Sequence, residues 1–197
     1  MDVVPRMTAQ EIDTEIVDAA AHLFARHGFR QTSVQAVADE VGYSKAGLLH
    51  RFGTKESLWE AVIADVLVQA DAVVALATEL PAGRERDLAA IEALLDLTRR
   101  RTGFIPFVFS LLTSSPLAAL DDPASGQSED AAALHEVASR ALAAFGVGLE
   151  TVGRREIRVV GALGSLAVTS LALDRHPGAR QHAVDAAMGA LGHPTPD

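Results

Sequence analysis

Residues 32–58 read TSVQAVADEVGYSKAGLLHRFGTKESL, from Thr32 to Leu58. They predict two short helices joined by a tight turn, then the start of a third. Thr32 and Gln35 have the spacing of a capping box at the start of the first. Val34, Val37, Ala38 and Val41 recur on one face of it. Gly42 breaks the helix and tolerates the positive φ a tight turn needs. Ser44 can cap the second helix, which runs to about Phe52. Gly53 ends it, and Thr54 caps the next. Ala38 is small where the second helix must cross closely. Leu48, six places after Gly42, points back into a small core with Phe52. This is the spacing of a helix-turn-helix. The outward face of its second helix carries Tyr43, Lys45, Ala46, Leu49, His50 and Arg51, and the N-terminal part of such a helix can meet base edges in a major groove.

An Ala, Gly and Leu match alone fits any helical hairpin. The caps narrow it, and so does the charge. The chain of 197 residues carries a net charge of −9. From Arg26 to Lys55, however, five bases face only Asp39 and Glu40, and both lysines of the chain lie inside Thr32–Leu58. From Glu56 onward, 11 arginines face 19 acids. A basic patch on an acidic protein can still hold phosphates, because screening confines each field to about 10 Å. The acidic remainder opposes loose, non-specific binding.

Upstream, residues 1–7 read as a short arm with Arg6 its single base. A first helix is expected from Thr8, with Thr8 and Glu11 as a capping box and Met7 stapled on Ile12. Its apolar face is Ile12, Ile16, Ala19, Ala20, Leu23 and Phe24, and Gly28 closes it. Downstream of Thr54, a fourth helix carries Leu58, Trp59, Val62, Ile63, Val66 and Leu67 towards Leu80. Pro81-Ala82-Gly83 breaks the chain. A helix from Arg84 to about Arg101 ends in Arg99, Arg100 and Arg101, which read as helix-end cations in water. Gly103 interrupts, and Phe104 to Ser115 is strongly apolar. Leu120 to Asp130 reads as a loop. Helices follow over about Glu129–Thr151, Arg154–Leu173 and Ala179–Leu191, and the tail HPTPD reads as disordered. The fold class is therefore all-α with about nine helices. Residues 1–53 form a three-helix DNA-binding domain and residues 54–197 a larger helical domain.

Hydrophobic residues make up 49% of the chain and charged residues 22%, enough for a substantial core. With no cysteine, disulfides and thiolate metal sites are excluded. No run of about 18 apolar residues and no signal-peptide pattern is evident, so a soluble cytoplasmic protein without membrane partners is expected. The His135 segment HEVAS lacks the second histidine of a zinc motif. The Asp121 loop has Gly126 at its sixth place but Ala132 at its twelfth, where a calcium loop needs Glu. Gly146-Val147-Gly148 lacks the preceding strand of a dinucleotide turn. No P-loop, G-x-S-x-G or local catalytic set is present. The expectation is no cofactor, no metal, no catalytic residue and no enzymatic activity.

Residues 8–58 closely resemble the N-terminal domain of the TetR family of transcriptional repressors. The carrying segments are Gly28-Phe29-Arg30-Gln31-Thr32-Ser33-Val34, Val37-Ala38, Val41-Gly42-Tyr43-Ser44-Lys45, Leu48-Leu49-His50-Arg51-Phe52 and Lys55-Glu56-Ser57-Leu58. The resemblance covers about a quarter of the chain. It implies a homodimer whose third helices enter successive major grooves of a palindromic operator. Tyr43, Ser44, Lys45 and His50 match the family's DNA-contacting places, Thr32 and Ser33 its phosphate contacts, and Lys55 its backbone contact at the start of helix four. The family often has Gly at Ala46, Thr or Ser at Gly47 and Tyr at Leu49, so these three positions depart from its reading helix.

The resemblance also implies a C-terminal body with a small-molecule inducer pocket and a paired-helix dimer seam. Residue types suggest where. Gly161, Gly164, Ser165 and Val168 form one small-residue line, and Ala183, Ala186, Ala187 and Ala190 another, which together allow a four-helix seam. Pocket candidates are Phe104, Phe107, Phe109, Leu111 and Leu112, with Trp59, Arg100 and His135 as polar or aromatic neighbours. The expected function is a ligand-responsive DNA-binding repressor. The alternative is a helical small-molecule-binding protein or enzyme with a vestigial DNA-binding domain.

Overall fold

The computed structural model describes residues 8–114, 129–148, 153–170 and 178–193. Every regular element among them is an α-helix: α1 (Ala9–Gln31), α2 (Val34–Glu40), α3 (Lys45–Phe52), α4 (Lys55–Thr78), α5 (Arg84–Arg100), α6 (Phe104–Ser114), α7 (Glu129–Ala143), α8 (Arg154–Ser170) and α9 (Ala179–Leu191). The expected arm, most of the loop beyond Leu120, the tail after His193 and the expected end of the eighth helix lie outside the described residues. The seventh helix stops at Ala143, short of the expected Thr151, because the chain turns over residues 144–146 with Gly146 at φ 71°.

Local chemistry sets the helix starts. The Thr8 hydroxyl accepts from Glu11 N, and the Glu11 carboxylate accepts from Thr8 N at 2.7 Å. That backbone bond lowers the Glu11 pKa below its ordinary value. Ser44 caps α3 through Gly47 N and Thr54 caps α4 through Ser57 N, each at 3.0 Å. One cap differs from expectation. Ser33, not Thr32, caps α2, accepting from Ala36 N at 3.0 Å. Gln35 instead donates to Asp39 on the next turn. Gly28 (φ 76°) kinks α1 three residues before its end, and Gly42 (φ 69°) makes the α2–α3 turn.

The helices share one core. Ile16, Ala20 and Phe24 of α1, Val37 and Ala38 of α2, Leu48 of α3 and Leu58 and Val62 of α4 close the three-helix head. α4 then continues into the body and packs on α1, α5 and α7. By length and mean hydropathy α4 is apolar enough to cross a membrane, although Glu60, Asp65, Gln69 and Asp71 interrupt it and no uninterrupted apolar run of that length occurs. Here Leu58, Val62, Ile63, Val66, Ala70, Val73 and Ala77 are buried against its neighbours.

Two ion-pair nodes, neither foreseen, tie the body together. Asp87 on α5, 1% exposed, accepts from Arg155 Nη2 of α8 at 2.5 Å and contacts His193 Nε2, beyond α9, at 2.7 Å. A buried carboxylate of this kind requires such partners. The second node lies where head meets body. Arg101, expected in water, is 8% exposed. It grips Asp65 of α4 with two bonds, of 3.1 and 2.5 Å, and lies 3.4 Å from Asp18 of α1. Arg99 and Arg100 do stay exposed.

Candidate nucleic-acid interface

The α3 helix offers a short exposed face. Ser44, Lys45, Ala46 and His50 are exposed, while Tyr43 and Leu49 are half-buried. Leu48 on the opposite side is fully buried, which holds the exposed face outward. Ser44 spends its oxygen as the cap acceptor but keeps its hydroxyl proton. Gly47 sits directly above it. A Cβ at Gly47 would lie 3.1 Å from Ser44 Oγ, so the glycine leaves the cap uncrowded.

The remaining sequence-predicted contacts divide. Ser33 is exposed at the N-terminus of α2, where free amides favour a phosphate. Thr32 is not available. It is 4% exposed, and its hydroxyl donates to Gly28 O at 2.9 Å and lies 3.3 Å from Leu23 O. It locks the end of α1, so its expected phosphate contact is corrected to a structural bond. Lys55 is half-buried. Its ammonium sits 4.3 Å over the Phe29 ring and 3.4 Å from Arg30 O, at the head's edge. Arg51, on the far side of α3, pairs with Asp13 of α1 and braces the helix.

Behind the face, the head is joined to the body through α1. The Asp18 carboxylate accepts from Thr102 N, Thr102 Oγ1 and Gly103 N at 3.1–3.2 Å, capping the entry to α6. A Cβ on Gly103 would come within 2.5 Å of Asp18 O and 2.7 Å of His22 N. The backbone of α1 therefore rests directly on the α5–α6 turn. Sequence reasoning missed Asp18, Asp65, Arg101 and Gly103. The one visible signal was Gly103, which reads as a break but whose reason is a close approach.

The body's expected residues also divide. Trp59 and Phe107 stack edge-on at 5.4 Å, within an aromatic cluster that includes Phe24 and Phe29. Leu111 is buried in the core, and the Leu112 side chain lies outside the described residues. Arg100 and His135 are exposed. Phe104 and Phe109, alone of the candidate set, line an apolar cavity between α4, α5, α6, α7 and α8. In the expected seam, Gly161, Val168 and Ala186 are exposed and Gly164, Ser165 and Ala190 half-buried. Ala183 and Ala187 are buried within the chain, and Gly164 faces the Phe109 ring of α6. Ala183 and Ala187 of α9 and Gly164 of α8 therefore pack within the chain.

The profile of bacterial regulatory proteins of the tetR family matches residues 16–62. Residues 16–62, most of the head and the start of α4, are thus similar to a tetR-family module. The chain is 35% identical over 82 residues to the HTH-type transcriptional repressor KstR2 of Rhodococcus jostii (strain RHA1), covering 42% of this chain and 39% of that protein. It is 38% identical over 53 residues to KstR2 of Mycolicibacterium smegmatis, covering 27% of this chain and 26% of that one. Both matches thus span well under half of these relatives. A TetR-like transcriptional regulator from Rhodococcus sp. RHA1 has a similar fold, with a TM-score of 0.52 at 19% identity over 94% of each chain. The tetR-type head and the helical body behind it therefore form an architecture already seen in solved structures.

Proposed function

We propose that this chain is a ligand-responsive transcriptional repressor that binds palindromic duplex DNA as a homodimer and releases it when a small-molecule inducer binds. The observation that carries the reading is the tetR-type head with Ser44, Lys45 and His50 exposed on α3. Tyr43 flanks them, and Ser33 and Lys55 lie where phosphates would pass. Residues 1–53 act as the reading head and residues 54–197 as the control and dimerisation body.

Two heads must sit about 34 Å apart to enter successive major grooves. In this reading α8 and α9 pair across the dimer through Ile157, Gly161, Val168 and Ala186. Ile157 and Val168 are 62% and 69% exposed, unusual for large apolar side chains. The inducer alters the body, and the α1–α6 contact and α4 pass the change to the head. The ligand must bind the two arrangements unequally for this to work.

The test is retention of fragments from a genomic library at moderate salt. Parent protein should retain a short palindrome, with affinity falling steeply as salt rises. Lys45→Ala should relax sequence choice, and Lys55→Ala should weaken all sequences alike. Retention of no fragment at all refutes the proposal. Val168→Asp should shift the protein from dimer to monomer on gel filtration.

A further inference from the structure

The residues that end α1 form an edge of the head with a cation still unassigned. Gly28 (φ 76°) breaks the helix, so residues 29–31 leave its axis. Phe29 turns inward, its ring 5.7 Å from that of Phe24 and 5.2 Å from that of Trp59. Thr32 also turns inward and bonds Gly28 O. With both flanking side chains drawn into the head, Arg30 and Gln31 are left exposed between them. Among the described residues the Arg30 guanidinium has no ion-pair or hydrogen-bond partner.

Lys55, on the first turn of α4, is held against the same bend. Its ammonium lies 4.3 Å over the Phe29 ring and 3.4 Å from Arg30 O. A carbonyl oxygen stands about 2.4 Å from its own Cα, which puts the ammonium within about 6 Å of Arg30 Cα. No acid occurs between Asp18 and Asp39 in the chain. Glu56, beside Lys55, points about 100° away around the α4 axis. Two cations therefore stand side by side, neither paired with a carboxylate. They repel each other in the free chain, and an anion relieves that repulsion.

We infer that Arg30 and Lys55 form a two-cation clamp on the sugar–phosphate backbone of duplex DNA, with Arg30 taking the phosphate next to the one held by Lys55. The inference rests on the repressor reading above and adds to it a residue outside the reading helix. Phosphates of one strand recur about every 3.4 Å along the duplex axis, so cations this close can meet neighbouring ones. The Phe29 ring and Arg30 O fix the Lys55 stem. Arg30 is free to turn its planar fork onto two oxygens of one phosphate. Lys55 begins α4 just after the Gly53–Thr54 turn that ends α3, so the pair adjoins α3 and not the body. Such contacts carry no sequence information. They set the register and tilt with which α3 enters the groove.

The test is salt titration, by fluorescence anisotropy, of full-length protein on the duplex retained from the genomic library. Losing one phosphate contact lowers the slope of log K against log salt by about 0.9. Two heads lose two contacts, so Arg30→Gln should flatten the slope by about 1.8 and weaken binding on the order of tenfold, with sequence choice unchanged. Arg30→Lys should keep most of the slope, and thermal unfolding of Arg30→Gln should match the parent. Arg26→Gln, exposed on the straight part of α1, and Arg99→Gln, exposed on α5, should keep the parent slope. A methylphosphonate scan locates the contact. One neutralised phosphate should weaken the parent and not Arg30→Gln, and its neighbour should do the same for Lys55→Ala. An unchanged slope in Arg30→Gln overturns the clamp, and so does equal flattening in Arg26→Gln, which would mean a diffuse field. A parent that retains no duplex refutes the repressor reading and the clamp with it. Retention with an unaltered Arg30→Gln refutes the clamp alone.

Discussion

Replacing Arg101 with Met tests whether the joint between head and body is held by charge. Methionine keeps most of the aliphatic stem and removes the guanidinium. Asp65 then loses both of its bonds to Arg101, of 3.1 and 2.5 Å. Asp18 loses the weaker 3.4 Å contact but keeps its bonds to Thr102 and Gly103. Breaking a fully buried pair costs about 3–5 kcal/mol, but Asp65 is partly exposed and water recovers some of the loss, so about 2 kcal/mol is expected. For a chain of this size that corresponds to a fall in Tm of about 4–8 °C. Urea unfolding can be followed by the fluorescence of Trp59, the sole tryptophan, which sits in the Phe24–Phe29–Phe107 cluster. A double-mutant cycle with Asp65→Asn should return a coupling of about 1–2 kcal/mol. A loss below about 0.5 kcal/mol would refute the buried joint. A full loss without coupling to Asp65 would show that Arg101 acts through its packing instead.

Three further substitutions address the same framework. Gly103→Ala should cost about 1–3 kcal/mol in urea unfolding, since the new methyl meets α1 backbone on two sides and neither atom can swing away. Thr32→Ala should cost about 1 kcal/mol through the lost bond to Gly28 O and leave operator affinity unchanged in a gel shift, which a phosphate contact would not allow. Leu48→Ala removes a fully buried side chain from under α3 and should lower stability by about 2–5 kcal/mol, read by thermal unfolding.

Near-neighbour chemistry was legible along the chain. Thr8, Ser44 and Thr54 each act on an amide three residues away, so the helix starts could be read directly. Thr32 shows how narrow that margin is. Two adjacent hydroxyl residues offered the same cap, and the choice fell to Ser33 because Thr32 faces back onto α1. That preference depends on the kink at Gly28 and is invisible in a capping pattern. The small residues of α9 posed the same problem on a larger scale. Ala183, Ala186 and Ala187 look alike in sequence, and only the position of α8 and α5 decides which two are buried.

The sequence by itself determined an all-helical chain, the turn at Gly42, the buried role of Leu48 and the exposed polar face of α3. Periodicity, caps and φ requirements act within a few residues, and composition records them. Only the tertiary structure decided that Arg101 is buried between Asp18 and Asp65, that Asp87 holds Arg155 and His193, and that Arg140 joins Asp71 of α4. Apart from Glu136, one turn from Arg140 on the same helix, the partners lie on other elements tens of residues away. A charge on a helix end reads as solvated until packing supplies its counter-charge. The short stretch from Thr32 to Leu58 carries the readable face, while the joint that positions it is set by contacts the stretch does not contain.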